Sequence, residues 1–296
     1  MWRRGLLRAV MSVSLLFTLM PLHASASADP VLVGAGDIAS CSQSGDAATA
    51  ALLGRIGGTV FTLGDSVYET GSAADYASCY GPTWGHFKGH TRPAPGNHDY
   101  YTSSVAAGYF GYFGNQAGPR GKGYYSYTAG AWHVVVLNSE CAAVGGCGAG
   151  SPEERWLRAD LAARPVACTL AYWHTPRFSS GTLYGSDAGY QPFWQALYDA
   201  GADVVMAGHE HVYERFAPQT PSGKADPAFG IRQFTVGTGG EGHYGFGKPV
   251  ANSEVRGDTT FGVLKLTLHP TSYSWQFVPA GGTFTDQGTA PCHGHR

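Results

Sequence analysis

Five strand-like runs in this chain each end in a side chain able to bind a metal or move a proton. Asp37 closes "VLVGAGD", Asp65 closes "VFTLGD", and Asn97-His98 follow "RPAPG". His174 ends "TLAYWH", and His209 and His211 follow "VVMAG". Pro95-Gly96-Asn97 alone would read as an ordinary turn, and a single buried histidine as core. Five such groups in succession argue for one site, because open α/β sheets bind ligands at the carboxyl ends of their strands. Oxygen and imidazole donors without thiolate suit Fe, Mn or Zn. The donors outnumber what one ion with an open position uses. Two ions sharing a bridging carboxylate are therefore expected, an arrangement that clamps a phosphoester with ions ~3.5–4 Å apart.

The elements that must position these groups alternate. After "VLVGAGD" comes a helix over "DAATAALLGRI", and after "VFTLGD" a helix-like stretch, "SAADYASCYGPTWGHF", interrupted by proline. "YYSYTAGAWHVVVLNSE" reads as a β-hairpin turning at Ala129-Gly130. "SPEERWLRADLAA" opens with Ser151 as N-cap, Pro152 at the first helical position and Glu154 three residues after the cap. "YQPFWQALYDAG" is a helix ending at Gly201, and "IRQFTVGTGG", "FGVLKLTLHP" and "SYSWQFVPA" are strands without helices between them. Strand–helix alternation followed by a β meander predicts one α/β domain of sheets covered by helices.

The N-terminus is basic ("MWRRGLLR"), then apolar (Val10 to Met20), then small-residue rich ("PLHASASA"). That layout predicts a secretory signal peptide over residues 1–28, cleaved after Ala28 or, as second choice, Ala26. Residues 29–296 then form the functional domain, with no membrane association after cleavage. Six cysteines in an exported chain, with no Cys-x-x-Cys, favour disulfides. Cys141–Cys147 is the first expected pair, and Cys41–Cys79 with Cys168–Cys292 would complete the set. A net charge of −2 without a basic block gives no support to nucleic-acid binding.

In order, "GD" at 36–37, "GDSVY" at 64–68, "GNHD" at 96–99, "AYWH" at 171–174 and "GHEH" at 208–211 resemble the calcineurin-like metallophosphoesterase superfamily. More narrowly they resemble purple acid phosphatases. Ala39 stands where the first motif has its second glycine, and Ala171 replaces the valine of the fourth; neither is a ligand position. The resemblance implies a two-sheet sandwich flanked by helices, a four-layer α/β/β/α fold. It implies a first metal on Asp37, Asp65, Tyr68 and His211, and a second on Asp65, Asn97, His174 and His209. His98 would face the substrate as catalytic acid, and Asp99 would orient a histidine. Many superfamily members carry Asp-x-His in the first motif; here the triplet is Asp37-Ile38-Ala39. The Tyr68 phenolate can replace that histidine and, as a hard anion, favours Fe, with Zn, Mn or Fe in the second position.

Those expectations make the chain a secreted phosphatase (a hydrolase) acting on small phosphomonoesters, by attack of hydroxide generated on the metals. The alternatives are a phosphodiesterase or nucleotide-cleaving member of the superfamily and a non-catalytic, metal-stabilised binding protein. Outside the set, Glu210 is expected to point away, and His243 to line the pocket at most. Arg177 and Phe178 could touch substrate or lie at the surface. His86, His90 and His133 lack partners at ligand spacing. The tyrosines of residues 100–127 are expected as a substrate rim or a loop cover.

Overall fold

The computed structural model describes residues 1–2 and 28–294. The expected signal segment therefore falls largely outside the described residues, and no described helix is long and apolar enough to cross a membrane. The elements run β1 (Val31–Ala35), α1 (Gly45–Ile56), β2 (Thr59–Leu63), β3 (Thr91–Ala94), α2 (Ala107–Phe113), β4 (Tyr125–Ala129) and β5 (Trp132–Val136). They continue through α3 (Pro152–Ala163), β6 (Cys168–Tyr172), α4 (Gln191–Asp199), β7 (Val204–Ala207), β8 (Tyr213–Phe216) and β9 (Arg232–Val236). The last strands are β10 (Ser253–Gly257), β11 (Gly262–His269), β12 (Ser272–Pro279) and β13 (Gln287–Pro291).

Two mixed sheets result, flanked by helices as expected. One has six strands in the order β13-β12-β11-β1-β2-β3, the other seven in the order β10-β8-β9-β7-β6-β5-β4. Strands β1, β2 and β3 are parallel in the first sheet, and β5, β6, β7 and β9 in the second. The second sheet is buried on both faces, which its sequence explains. Val134, Val136, Leu170, Tyr172, Val204 and Met206 join the core that includes the first sheet. Their alternates Val135, Ala171 and Val205 pack with Leu157 and Leu161 of α3 and Phe193, Trp194 and Leu197 of α4. A period of two on nearly all-apolar strands sends every other residue to each core.

Local signals mostly held. Ser151 Oγ accepts the Glu154 N–H, with Pro152 opening α3. Glu154 does not close the capping box; its carboxylate accepts the Gly150 N–H and pairs with Arg158. The hairpin turns one residue later than expected, at Gly130-Ala131, because Ala129 still pairs with Trp132. The "SAADYASCYGPTWGHF" stretch breaks into short π and 3-10 turns. All three expected disulfides, Cys41–Cys79, Cys141–Cys147 and Cys168–Cys292, are present.

Candidate metal centre

The carboxyl ends of β1, β2, β3, β6 and β7 meet at one edge, where the two sheets touch. The Gly36 N–H, just past β1, donates to Val236 O at the end of β9 (2.8 Å), and Gly239 N–H donates back to Gly36 O (2.9 Å). Asp37, Asp65 and His209 each turn the chain out of its strand with left-handed φ values of 59°, 46° and 68°. A non-glycine residue there costs on the order of 1–3 kcal/mol, and such strain concentrates at functional sites. The glycines before the ligand-type residues have a steric cause. A Cβ on Gly208 would come within 2.7 Å of Asp37 Oδ2 and 2.8 Å of Leu63 O, and one on Gly96 would collide with the Asp65 carboxylate. The two glycines thus let the end of β7 close on the Asp37 carboxylate and the end of β3 on that of Asp65.

The structure brings together all eight site residues read from the sequence. In one half, Tyr68 Oη lies 2.9 Å from Asp37 Oδ1, 3.1 Å from Asp65 Oδ2 and 3.0 Å from His211 Nε2. In the other, His174 Nε2 lies 3.2 Å from Asp65 Oδ2, 3.1 Å from Asn97 Oδ1 and 3.1 Å from His209 Nδ1. Asp65 Oδ2 belongs to both halves. His98 stands beside them: its N–H donates to Asp65 Oδ1 (2.8 Å), while its Nε2 is 4.0 Å from Asp65 Oδ2.

Backbone carbonyls set the imidazoles. His174 Nδ1–H donates to Leu63 O (2.7 Å) and His211 Nδ1–H to Gly242 O (3.0 Å), so each turns Nε2 inward. Such outer bonds fix tautomer and ring orientation in metal-binding histidines. Protons are too few for the atoms that face one another. One phenol proton on Tyr68 confronts three acceptor-capable atoms, and at most one N–H on His174 Nε2 confronts three, with Asp65 Oδ2 common to both sets. Cations fit such a cluster, and its hard oxygen and imidazole donors suit first-row metals.

The electrostatics follow from burial beside two carboxylates. Burial works against charge on Asp65, but His174 holds its carboxyl well below the usual range. Burial likewise opposes a charged His174, yet Asp65 pushes that imidazole up to about 10. Burial, then His174, pushes His209 down to about 4. Burial, then Asp37 and Asp65, raises the Tyr68 phenol well above its usual range.

The neighbours of the centre meet expectation in part. Asp99 does not orient a histidine: its carboxylate accepts Tyr76 Oη–H (2.5 Å) and Gly96 N–H (2.9 Å), tying down the Pro95-Gly96-Asn97 turn. Glu210 points away as expected, accepting the Tyr184 and Gly185 N–H groups. Arg177 lies over Phe178, which packs on Trp194 in the outer core. His133 Nε2 bonds Asp160 in α3 (2.8 Å). His243 stacks on Phe261 (4.2 Å), while its neighbour Tyr244 stacks on the His211 ring (4.0 Å between centroids, 12° between planes). The tyrosine-rich stretch divides: Tyr109 is core, whereas Tyr101 reaches the site against His98 (4.5 Å). Tyr184, which the sequence did not single out, stacks on His209 (4.0 Å). Glu69 O, which holds His98 Nδ1–H at 2.6 Å, is a backbone atom with no signature of its own.

A Calcineurin-like phosphoesterase family model matches residues 30–213, and the chain belongs to that family. Among curated relatives, purple acid phosphatase 15 of Arabidopsis thaliana is 34% identical over 106 residues, covering 34% of this chain and 19% of the relative. Purple acid phosphatase 21 of the same plant is 37% identical over 124 residues, covering 40% and 26%. The matched part is thus about a fifth to a quarter of each relative's length. Among solved structures, purple acid phosphatase PPD1 from yellow lupin (Lupinus luteus) seeds superposes with a TM-score of 0.70 at 19% identity. It covers 90% of this chain and 54% of the lupin protein. At that identity the likeness speaks for the fold alone.

Proposed function

We propose that the chain is a secreted phosphatase that hydrolyses small phosphate monoesters at two metal ions. Asp37, Asp65, Tyr68 and His211 would hold one, with Fe favoured by the phenolate. Asp65, Asn97, His174 and His209 would hold the other, as Zn, Mn or Fe. The observation that carries this reading is Asp65 Oδ2, 3.1 Å from Tyr68 Oη and 3.2 Å from His174 Nε2, the place of a bridging carboxylate. We take residues 29–296 as one catalytic domain behind an export signal at 1–28, a compartment consistent with three disulfides.

When bound, the ions supply positive charge for the phosphoryl oxygens and lower the pKa of a water towards ~7. The chain's own residues do the rest. Asp37 divides its labour: Oδ2 accepts the His209 N–H (2.9 Å), leaving Oδ1 towards Tyr68 and His211. His98, its Nδ1–H committed to Glu69 O, has only Nε2 free to exchange a proton. The ring is steadied between Tyr68 (4.4 Å) and Tyr101 (4.5 Å). From there it would donate the Nε2 proton to the departing ester oxygen, the work of a general acid. No serine or cysteine nucleophile enters this scheme, so no phospho-enzyme is expected.

The test is an assay of protein purified without chelator on p-nitrophenyl phosphate and on its bis-ester. Turnover of the monoester in preference supports the proposal. Preference for the bis-ester would replace it with a diesterase, and no turnover of either by metal-replete protein would reject it.

A further inference from the structure

The rim of the site is more apolar than a phosphate needs. From residue 28 onward, the exposed large hydrophobic side chains among the described residues are Tyr101, Val105, Leu183, Tyr184 and Phe229. The first four lie on two loops, and each loop sends a tyrosine to the candidate centre. Tyr101 is 65% exposed yet its ring contacts His98; Tyr184 is 53% exposed yet stacks on His209 at 4.0 Å and 28°. Tyr244, stacked on His211, stands edge-on to Tyr184 at 6.2 Å and 63°. Both loops reach the same centre: Tyr101 meets His98, whose N–H donates to Asp65, and Tyr184 meets His209, whose Nδ1 lies 3.1 Å from His174 Nε2. Apolar side chains left in water are unremarkable singly, but exposed rings gathered around one polar centre mark a binding surface.

The spacing selects the occupant. Tyr184 and Tyr244 stack on His209 and His211 at 4.0 Å, and Tyr101 meets His98 at 4.5 Å with its ring tilted by 60°, so each rim ring touches a residue of the proposed reaction centre. A group meeting that rim must therefore be joined to the ester oxygen without a long spacer. We propose, on the basis of the phosphatase reading above, that Tyr101, Tyr184 and Tyr244 form a leaving-group subsite for aromatic rings. The preferred substrates are then phosphate monoesters of phenols. Aromatic pairs contribute beyond their buried area when edge-to-face or offset, so a ring should bind better than a saturated group of equal size.

Two non-hydrolysable ligands, benzylphosphonate and cyclohexylmethylphosphonate, isolate this effect from leaving-group reactivity. Their dissociation constants are measured by calorimetry on the full chain purified without chelator. The wild type should favour the benzyl compound by about 2- to 10-fold, the range aromatic pairing supplies. In the Tyr101→Leu/Tyr184→Leu double variant, which keeps apolar area but removes two rings, the ratio should fall to near one. Should the Tyr184 change shed metal, the ratio is read in Tyr101→Leu alone, where it should fall at least in part. Equal affinities in the wild type, or an undiminished ratio in the variants, would overturn the subsite and leave the phosphatase reading standing. Absence of binding by either phosphonate would overturn both.

Discussion

The six-stranded sheet brings mainly oxygen to the centre, and the seven-stranded sheet brings nitrogen. Asp37, Asp65, Tyr68 and Asn97 follow β1, β2 and β3; His174, His209 and His211 follow β6 and β7. Neither edge makes a balanced site by itself. The oxygen edge buries two carboxylates and a phenol, which is costly without opposing charge. The nitrogen edge offers imidazoles that are neutral ligands or cations according to their neighbours. Each half of the centre draws on both: Asp37 and Tyr68 with His211, Asn97 with His174 and His209, and Asp65 on the seam. The lesson is that the packing of the two sheets, tied by Gly36 and Val236, is itself part of the site.

The comparison breaks most completely at the seam. Asp65→Asn should cost at least one metal and nearly all turnover, because a neutral amide cannot bridge two cations; full metal content with full activity would contradict the bridge. A smaller loss is expected beside the seam. His98→Ala should retain both metals, read by emission spectrometry, and lower kcat by ~10²–10⁴, the usual span for a general acid. Loss of metal there would place His98 among the ligands instead.

Tyr68→Phe sharpens the oxygen side. It removes one donor while keeping the ring, so iron content and any visible phenolate-to-iron absorption should fall together, with the fold intact by circular dichroism. A colourless wild type holding stoichiometric ferric iron would make Tyr68 a bystander.

The smallest effect lies behind the nitrogen-side sheet. Glu153 of α3 is wholly buried, and its carboxylate accepts the Asn138 N–H (2.7 Å). Burial raises its carboxyl well above the usual range, with the Asn138 bond working the other way. The folded state therefore holds its proton longer than the unfolded chain. Its contribution is full below the unfolded pKa of about 4.5 and is lost as pH rises through the folded value. Glu153→Gln should flatten that decline, raising the melting temperature at pH 8 more than at pH 5. An equal shift at both pH values would show that no ionisation is involved.

The strands that carry the site were legible because their apolar runs end in Gly-Asp, Gly-Asn-His or Gly-His. That grammar is steric, as Gly96 and Gly208 demonstrate. The missed strands lack it. In β8, Glu214 is buried but satisfied by Ser180 N–H and Ser253 Oγ–H, and Arg215 pairs with Asp286; such pairings hide a strand from any hydrophobic pattern. Strand β13, "QGTAP", carries glycine and proline and survives as a sheet edge. The tyrosines beside the centre were legible only in part: Tyr101 lies in the stretch 100–127 expected as a rim or a cover, whereas Tyr184 and Tyr244 carried no signal. The three come from separate loops, and only the fold brings each against a histidine of the centre. Asp99 was misassigned because its partner, Tyr76, comes from an irregular helical stretch 23 residues earlier.

The most direct test of the two-sheet centre is metal stoichiometry in protein purified without chelator, set beside Asp65→Asn and His174→Ala. We expect about two ions per wild-type chain, iron among them, and no more than one in either variant, although one residue comes from each sheet. A wild type that hydrolyses phosphomonoesters with one ion or none, or variants that keep two, would contradict the account.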